Sequence, residues 1–135
     1  MFKKILAGIG GAIVLNIVHE TIRKNFKNVP HINELGEEAL LKLTDNTPIN
    51  ITGKDNLYAA TLVGDIVSNG IYYATTSTKR DLSSGLVAGI SAIMLPKHLG
   101  LDEKPVAENM QKKAMTVGYY VLGACVTKFI YDKIK

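Results

Sequence analysis

Asp65 is the only charged residue between Leu57 and Thr78, a run of 22 residues that otherwise reads as a membrane span. A carboxylate near the middle of a bilayer costs roughly 2.5 to 3.5 kcal/mol on insertion scales, so a span keeps one only beside a partner, a cavity or a function. Helical spacing gathers more polar groups around it. Thr61, Asp65, Ser68 or Asn69, and Tyr72 share one face of that segment, while Asn16, His19, Glu20 and Arg23 stand at i, i+3, i+4 and i+7 on one face of another. Consecutive spans pack antiparallel, and counting about 1.5 Å per residue from their shared loop side puts Asn16 level with Asp65 and Glu20 level with Thr61. His98, just past Pro96, returns to that side. The expected site is therefore a polar pocket or half-channel built from Asn16, His19, Glu20, Asp65, Asn69, Tyr72 and His98, open toward residues 27–56.

Three chemistries suit such a set. The first is passage or binding of a proton, an ion or a small solute, with Asp65 as acceptor and Asn16, His19 and Glu20 as relay. The second is a membrane-embedded enzyme acting on a lipid headgroup, with Glu20 or Asp65 as general base and His19 and His98 as acid or metal ligands. Adjacent His19 and Glu20 lack the i, i+4 histidine pair that zinc takes on a helix, so no metal and no other cofactor is expected. The third is structural: Asp65 and Asn69 hydrogen-bond to Asn16 and hold helices in register, where such bonds average about 0.6 kcal/mol. His19, Glu20 and Arg23 are then interfacial residues with a local ion pair.

The elements that must position these groups follow from where the charges are missing. Residues 5–18, 57–78, 82–95 and 114–127 hold Asp65 and no other charge, whereas a soluble helix carries a charged stripe on its outer face. The expectation is an all-α integral membrane bundle of four short transmembrane helices at about 3–26, 57–76, 82–95 and 109–134, one domain over 1–135. An amphipathic helix at about 33–44 fills the first loop: Ile32, Leu35, Ala39, Leu40 and Leu43 recur at helical spacing, with Asn33 as its expected N-cap. Asp55 or Asn56 is expected to cap the second span, and Pro96 to stop the third. Small residues every four positions mark close-packing faces: Ala7/Gly11 and Gly8/Ala12, Ala60/Gly64/Ser68, and Gly85/Gly89. The polar Thr78–Asp81 turn makes the second and third spans antiparallel neighbours. Tyr58, Tyr72, Tyr73, Tyr119 and Tyr120 read as an interfacial aromatic belt.

Composition narrows the rest. Net charge is +4 and the pI about 9.1, but no basic cluster is interleaved with aromatics and tryptophan is absent, so nucleic acid is not an expected partner. Mean hydropathy is only +0.12 because the charges are segregated. Cys125, alone in the chain, allows no internal disulfide and reads as a packing residue. Met1-Phe-Lys-Lys followed by an apolar run resembles a signal peptide but lacks a small-x-small cleavage site, so it reads as a retained span. Asn50-Ile51-Thr52 matches a glycosylation sequon, a pattern too short to carry weight. Lys3, Lys4, Lys79, Arg80, Lys128, Lys133 and Lys135 lie in short segments on one side, which predicts an inner-membrane protein with both termini cytoplasmic. Membrane lipid is the expected partner, together with further copies of the chain, since four short small-residue helices enclose little volume alone.

Overall fold

The computed structural model describes residues 1–45, 47, 48 and 51–135; Asn50 of the sequon lies outside the described residues. Among the described residues six α-helices follow one another: α1 (Phe2–Asn25), α2 (Ile32–Thr44), α3 (Lys54–Thr76), α4 (Asp81–His98), α5 (Lys104–Ala107) and α6 (Met110–Ile134). No strand occurs among the described residues.

Local chemistry sets the helix ends, and not always where the sequence suggests. Arg23 and Lys24 complement the negative end of α1 before Phe26 turns extended. At α2 the N-cap is His31 without a side-chain cap bond, and Asn33 is already helical. At α3 the cap is Gly53 at φ +85°, a left-handed conformation that glycine adopts freely, so Asp55 and Asn56 lie inside the first turn. Pro96 does not stop α4. It sits in the last turn, where it has no N–H to give the Ala92 carbonyl, and the end is closed by Leu99 N–H on the Leu95 carbonyl (3.0 Å) and Leu101 N–H on the Pro96 carbonyl (2.8 Å). The segment between α4 and α6 contains the short α5, which abuts α6. Asn109 caps α6, its Oδ1 accepting Lys112 N–H at 3.0 Å. Asn109→Ala should cost about 1 kcal/mol of stability, the usual value of an N-cap, measurable as a shift in the unfolding midpoint in detergent.

In the packing, α1 lies against α3 and α6, and α6 against α4, each pair antiparallel, and α3 and α4 come round to face each other. Glycines cement the contacts of α1. A Cβ on Gly8 would overlap the Gly70 carbonyl and lie 2.7 Å from Ala74 N, while one on Gly11 would overlap Thr127 Oγ1 and the Gly123 carbonyl. Thus Gly8 admits α3 and Gly11 admits α6, one on each flank of α1. Gly85 and Gly89 do the same for α4 on α6: a Cβ at either would come within 2.6 Å of the Val121 or Val117 Cα. On α3 the close-packing residue is Gly70, not the predicted Ala60/Gly64/Ser68 stripe; Gly64 faces open space. Nor is Tyr73 part of an interfacial belt. It is fully buried against Gly123, and its hydroxyl donates to the Tyr120 carbonyl at 2.8 Å.

The bundle leaves much apolar surface outside. Val63, Val67 and Ile71 form an exposed stripe on α3, Ile13 and Ile17 one on α1, and Leu86, Ile90 and Met94 one on α4. Total accessible surface is 8033 Å², against roughly 6,900 Å² for a compact monomer of this mass. By length and composition α1 and α6 can each cross a membrane. Both termini and the α3–α4 turn meet at one end of the bundle: Lys3 Nζ donates to the Lys135 carbonyl at 3.3 Å, and Lys4 shares a pocket with Lys79 and Arg80. The opposite end carries α2 and α5.

Candidate functional site

Joined by four residues, α3 and α4 touch only near their turn and then splay apart. The turn end is closed by hydroxyls. Tyr72 OH donates to the Ser84 carbonyl (2.7 Å), and the Ser84 hydroxyl meets those of Thr76 and Ser77, each at 2.6 Å. At the far end α2 lies across the gap. Lys42 Nζ donates to the Leu99 and Gly100 carbonyls (3.2 and 3.3 Å), and Glu38 accepts the Asp102 N–H (3.1 Å), tying α2 to the loop after α4. Between these closures is a cleft of about 400 Å³. Leu35, Ala39, Val87, Ala88, Ala92 and Leu95 make its walls apolar; Asp65, Ser68, Asn69, Tyr72, Ser91 and Tyr120 supply its polar groups.

Asp65 stands where α2 meets α3. Gly36 lies over its carboxylate: a Cβ there would be 3.4 and 3.6 Å from the two Asp65 oxygens and 2.7 Å from Thr61 Cγ2. The Asp65 carboxylate makes no hydrogen bond and no ion pair among the described residues. Neighbouring polar groups are already committed. Ser68 donates to the Gly64 carbonyl (2.7 Å), and Asn69 lies beside the Tyr120 hydroxyl. Asn16 donates to its own Ala12 carbonyl (2.9 Å), so the Asp65–Asn16 bond of the structural reading does not form.

Behind Asp65 is a second, smaller hole of about 10 Å³, the room of one water. Asn16, His19, Glu20, Asn33, Tyr58, Thr61, Asp65 and Asn69 surround it. Two of them present buried atoms without a partner, Thr61 Oγ1 and Asn33 Oδ1. His19 is 2% exposed; its Nε2 accepts the Ile32 N–H at 3.0 Å, which leaves the ring proton on Nδ1, 3.4 Å from Glu20 Oε1. Its edge meets Tyr119, with ring centroids 5.6 Å apart. Glu20 is paired with Arg23 (Oε2–Nη2 2.5 Å), with the Tyr58 hydroxyl nearby.

Asn16, His19, Glu20, Asp65 and Asn69 therefore converge on one small hole, and Asp65, Asn69 and Tyr72 on the cleft beside it. His98 does not join them. It faces Lys97, Glu103 and Lys113 in a separate surface pocket. Sequence reasoning misses Tyr120, Tyr58 and the α2 residues over the cleft. A tyrosine hydroxyl well inside a long apolar helix needs a partner, and that signal was available for Tyr120. No group of three His, Cys, Asp or Glu converges as a metal would need, among the described residues. No protein-family model, curated protein or solved structure matches the chain.

Proposed function

We propose that the chain is a small polytopic membrane protein whose polar intramembrane site around Asp65 binds a small solute. In this reading α1, α3, α4 and α6 are four short transmembrane helices, and α2 is an amphipathic helix seated at the interface. The observation that carries it is the Asp65 carboxylate, opening without a cation or donor onto a cleft of about 400 Å³. That volume falls in the range of roughly 300–1,000 Å³ typical of small-molecule sites, which are likewise apolar with a few placed polar groups.

Several features support the membrane part. The exposed stripes on α1, α3 and α4 are uncharged and lie midway along their helices, where hydrocarbon is the solvent that tolerates them. The lysines and arginines gathered at the end with both termini favour a cytoplasmic location for that end, at the cell inner membrane. Lipid is the partner of the outer stripes. Passage across the bilayer, as opposed to binding, calls for further copies of the chain, because hydroxyls close the cleft at the α3–α4 turn.

The enzyme reading loses His98 by its placement and finds His19 holding a backbone N–H, so solute binding is preferred. The test is calorimetric titration of detergent-purified protein with tetraphenylphosphonium, tetraphenylborate and 1-dodecanol. Ala92→Trp fills the cleft and should weaken whichever probe binds at least tenfold. Titrations of wild type and Ala92→Trp that coincide for all three probes would overturn the reading.

A further inference from the structure

Resting on that reading, we infer that the solute is an organic monocation with an apolar body: a hydrophobic amine or quaternary ammonium, held by its charge at Asp65 and by its body along α4. Among the described residues, Asp65 is the only ionisable carboxylate or amine lining the cleft. Two cations of the neighbouring helices α2 and α1 are engaged elsewhere, Lys42 on the Leu99 and Gly100 carbonyls and Arg23 on Glu20. A carboxylate sheltered from water by α2 and left without counter-charge is costly, and a bound cation is what relieves that cost. An anion would meet the same carboxylate with like charge, and a neutral body would leave it unpaired.

The surroundings fit the rest of such a molecule. Val87, Ala88, Ala92 and Leu95 offer only apolar contact. Tyr72 and Tyr120 also line the cleft, and aromatic rings attract cations placed within about 6 Å of their faces. Beside the carboxylate, Thr61 is 5% exposed and its Oγ1 is unpartnered, turned to the one-water hole that Asp65 also lines. An ammonium N–H therefore finds, besides the carboxylate, an acceptor reachable through a single water. At about 400 Å³ the cleft admits one small molecule and not a whole phospholipid.

Tetraphenylphosphonium and tetraphenylborate share a shape and differ in sign, which makes them the deciding probes. Titrated into protein in a neutral maltoside detergent, with empty micelles as the blank, the phosphonium should bind wild type at least tenfold more tightly than the borate. Asp65→Asn should reduce phosphonium affinity at least tenfold, and Asp65→Glu, which keeps the charge, should retain most of it. Circular dichroism and elution volume establish that each variant is folded; should Asp65→Asn fail there, the phosphonium-to-borate ratio in wild type decides. Equal affinity for the two ions, or an unchanged phosphonium affinity in folded Asp65→Asn, would overturn the inference. If both ions bind alike and both are lost in Ala92→Trp, the cleft remains a solute site and only its preference for cations falls. If Ala92→Trp alters no probe, the cleft reading itself falls.

Discussion

Gly11→Val is expected to cost about 3 kcal/mol or more, because there is nowhere for a side chain to go. A Cβ at position 11 already overlaps the Gly123 carbonyl and the Thr127 hydroxyl, with Thr127 Cβ only 3.2 Å away. The hydroxyl can rotate; the carbonyl belongs to the backbone of α6 and can move only if the whole helix does. Overpacking of this kind typically costs 1–3 kcal/mol, and a branched side chain between two helix backbones belongs at the upper end. Since α1 sits between α3 and α6, the displacement also disturbs the Gly8–Gly70 contact on its other flank. Gly64→Ala is the matched control. Nothing lies within 4 Å of a Cβ there, so the exchange should be neutral or stabilising by up to about 1 kcal/mol through helix propensity. Unfolding in mixed micelles of rising dodecyl sulfate fraction measures both. Equal midpoints for the two variants would mean that α1 and α6 do not pack in this register.

His19 provides the second large effect and separates a structural role from a relay. Its ring is buried, its Nε2 satisfies the Ile32 N–H, and its edge rests on Tyr119. His19→Phe keeps the shape but orphans a buried N–H, expected to cost about 2 kcal/mol. His19→Ala adds a cavity, for a total of about 4 kcal/mol. His19→Gln, whose side-chain oxygen can accept the N–H, should recover part of the loss. A histidine serving only as a proton relay would show the reverse: stability near wild type in all three, with solute or proton movement abolished. The same unfolding assay distinguishes the two patterns.

Much of this was legible in the sequence, for identifiable reasons. Uncharged runs of helical length locate α1, α3, α4 and α6, since no soluble surface helix omits its polar stripe. Counting rise per residue from a shared loop places Asn16 and Glu20 beside Asp65 and Thr61, and those residues do surround the same hole. The Asp65–Asn69–Tyr72 face follows from period alone.

What escaped depends on tertiary placement. Pro96 suggests a helix end, yet α4 continues to His98; two more residues of helix rotate the side chain by about 200°, so Pro96 lines the cleft and His98 points elsewhere. The stripe on α2 does not say which groove it enters. Only the folded chain shows Gly36 lying over Asp65, where the lack of a side chain is what allows the approach. Tyr73 illustrates the same limit: tyrosine suits a membrane interface and a buried hydrogen bond alike, and the choice rests on whether a small residue, here Gly123, faces it.

One measurement reaches the claim beneath all of these, that hydrocarbon surrounds the outer face of α3 while Asp65 is sheltered behind it. Val67 is 51% exposed on that face, two residues from Asp65. A nitroxide attached at Val67→Cys, with Cys125→Ser removing the native thiol, is placed in lipid bilayers and its relaxation by oxygen compared with that by a water-soluble nickel chelate. The account predicts strong oxygen contact and almost no nickel contact, as for a site deep in acyl chains. Strong nickel contact at Val67 would put α3 in water and contradict it.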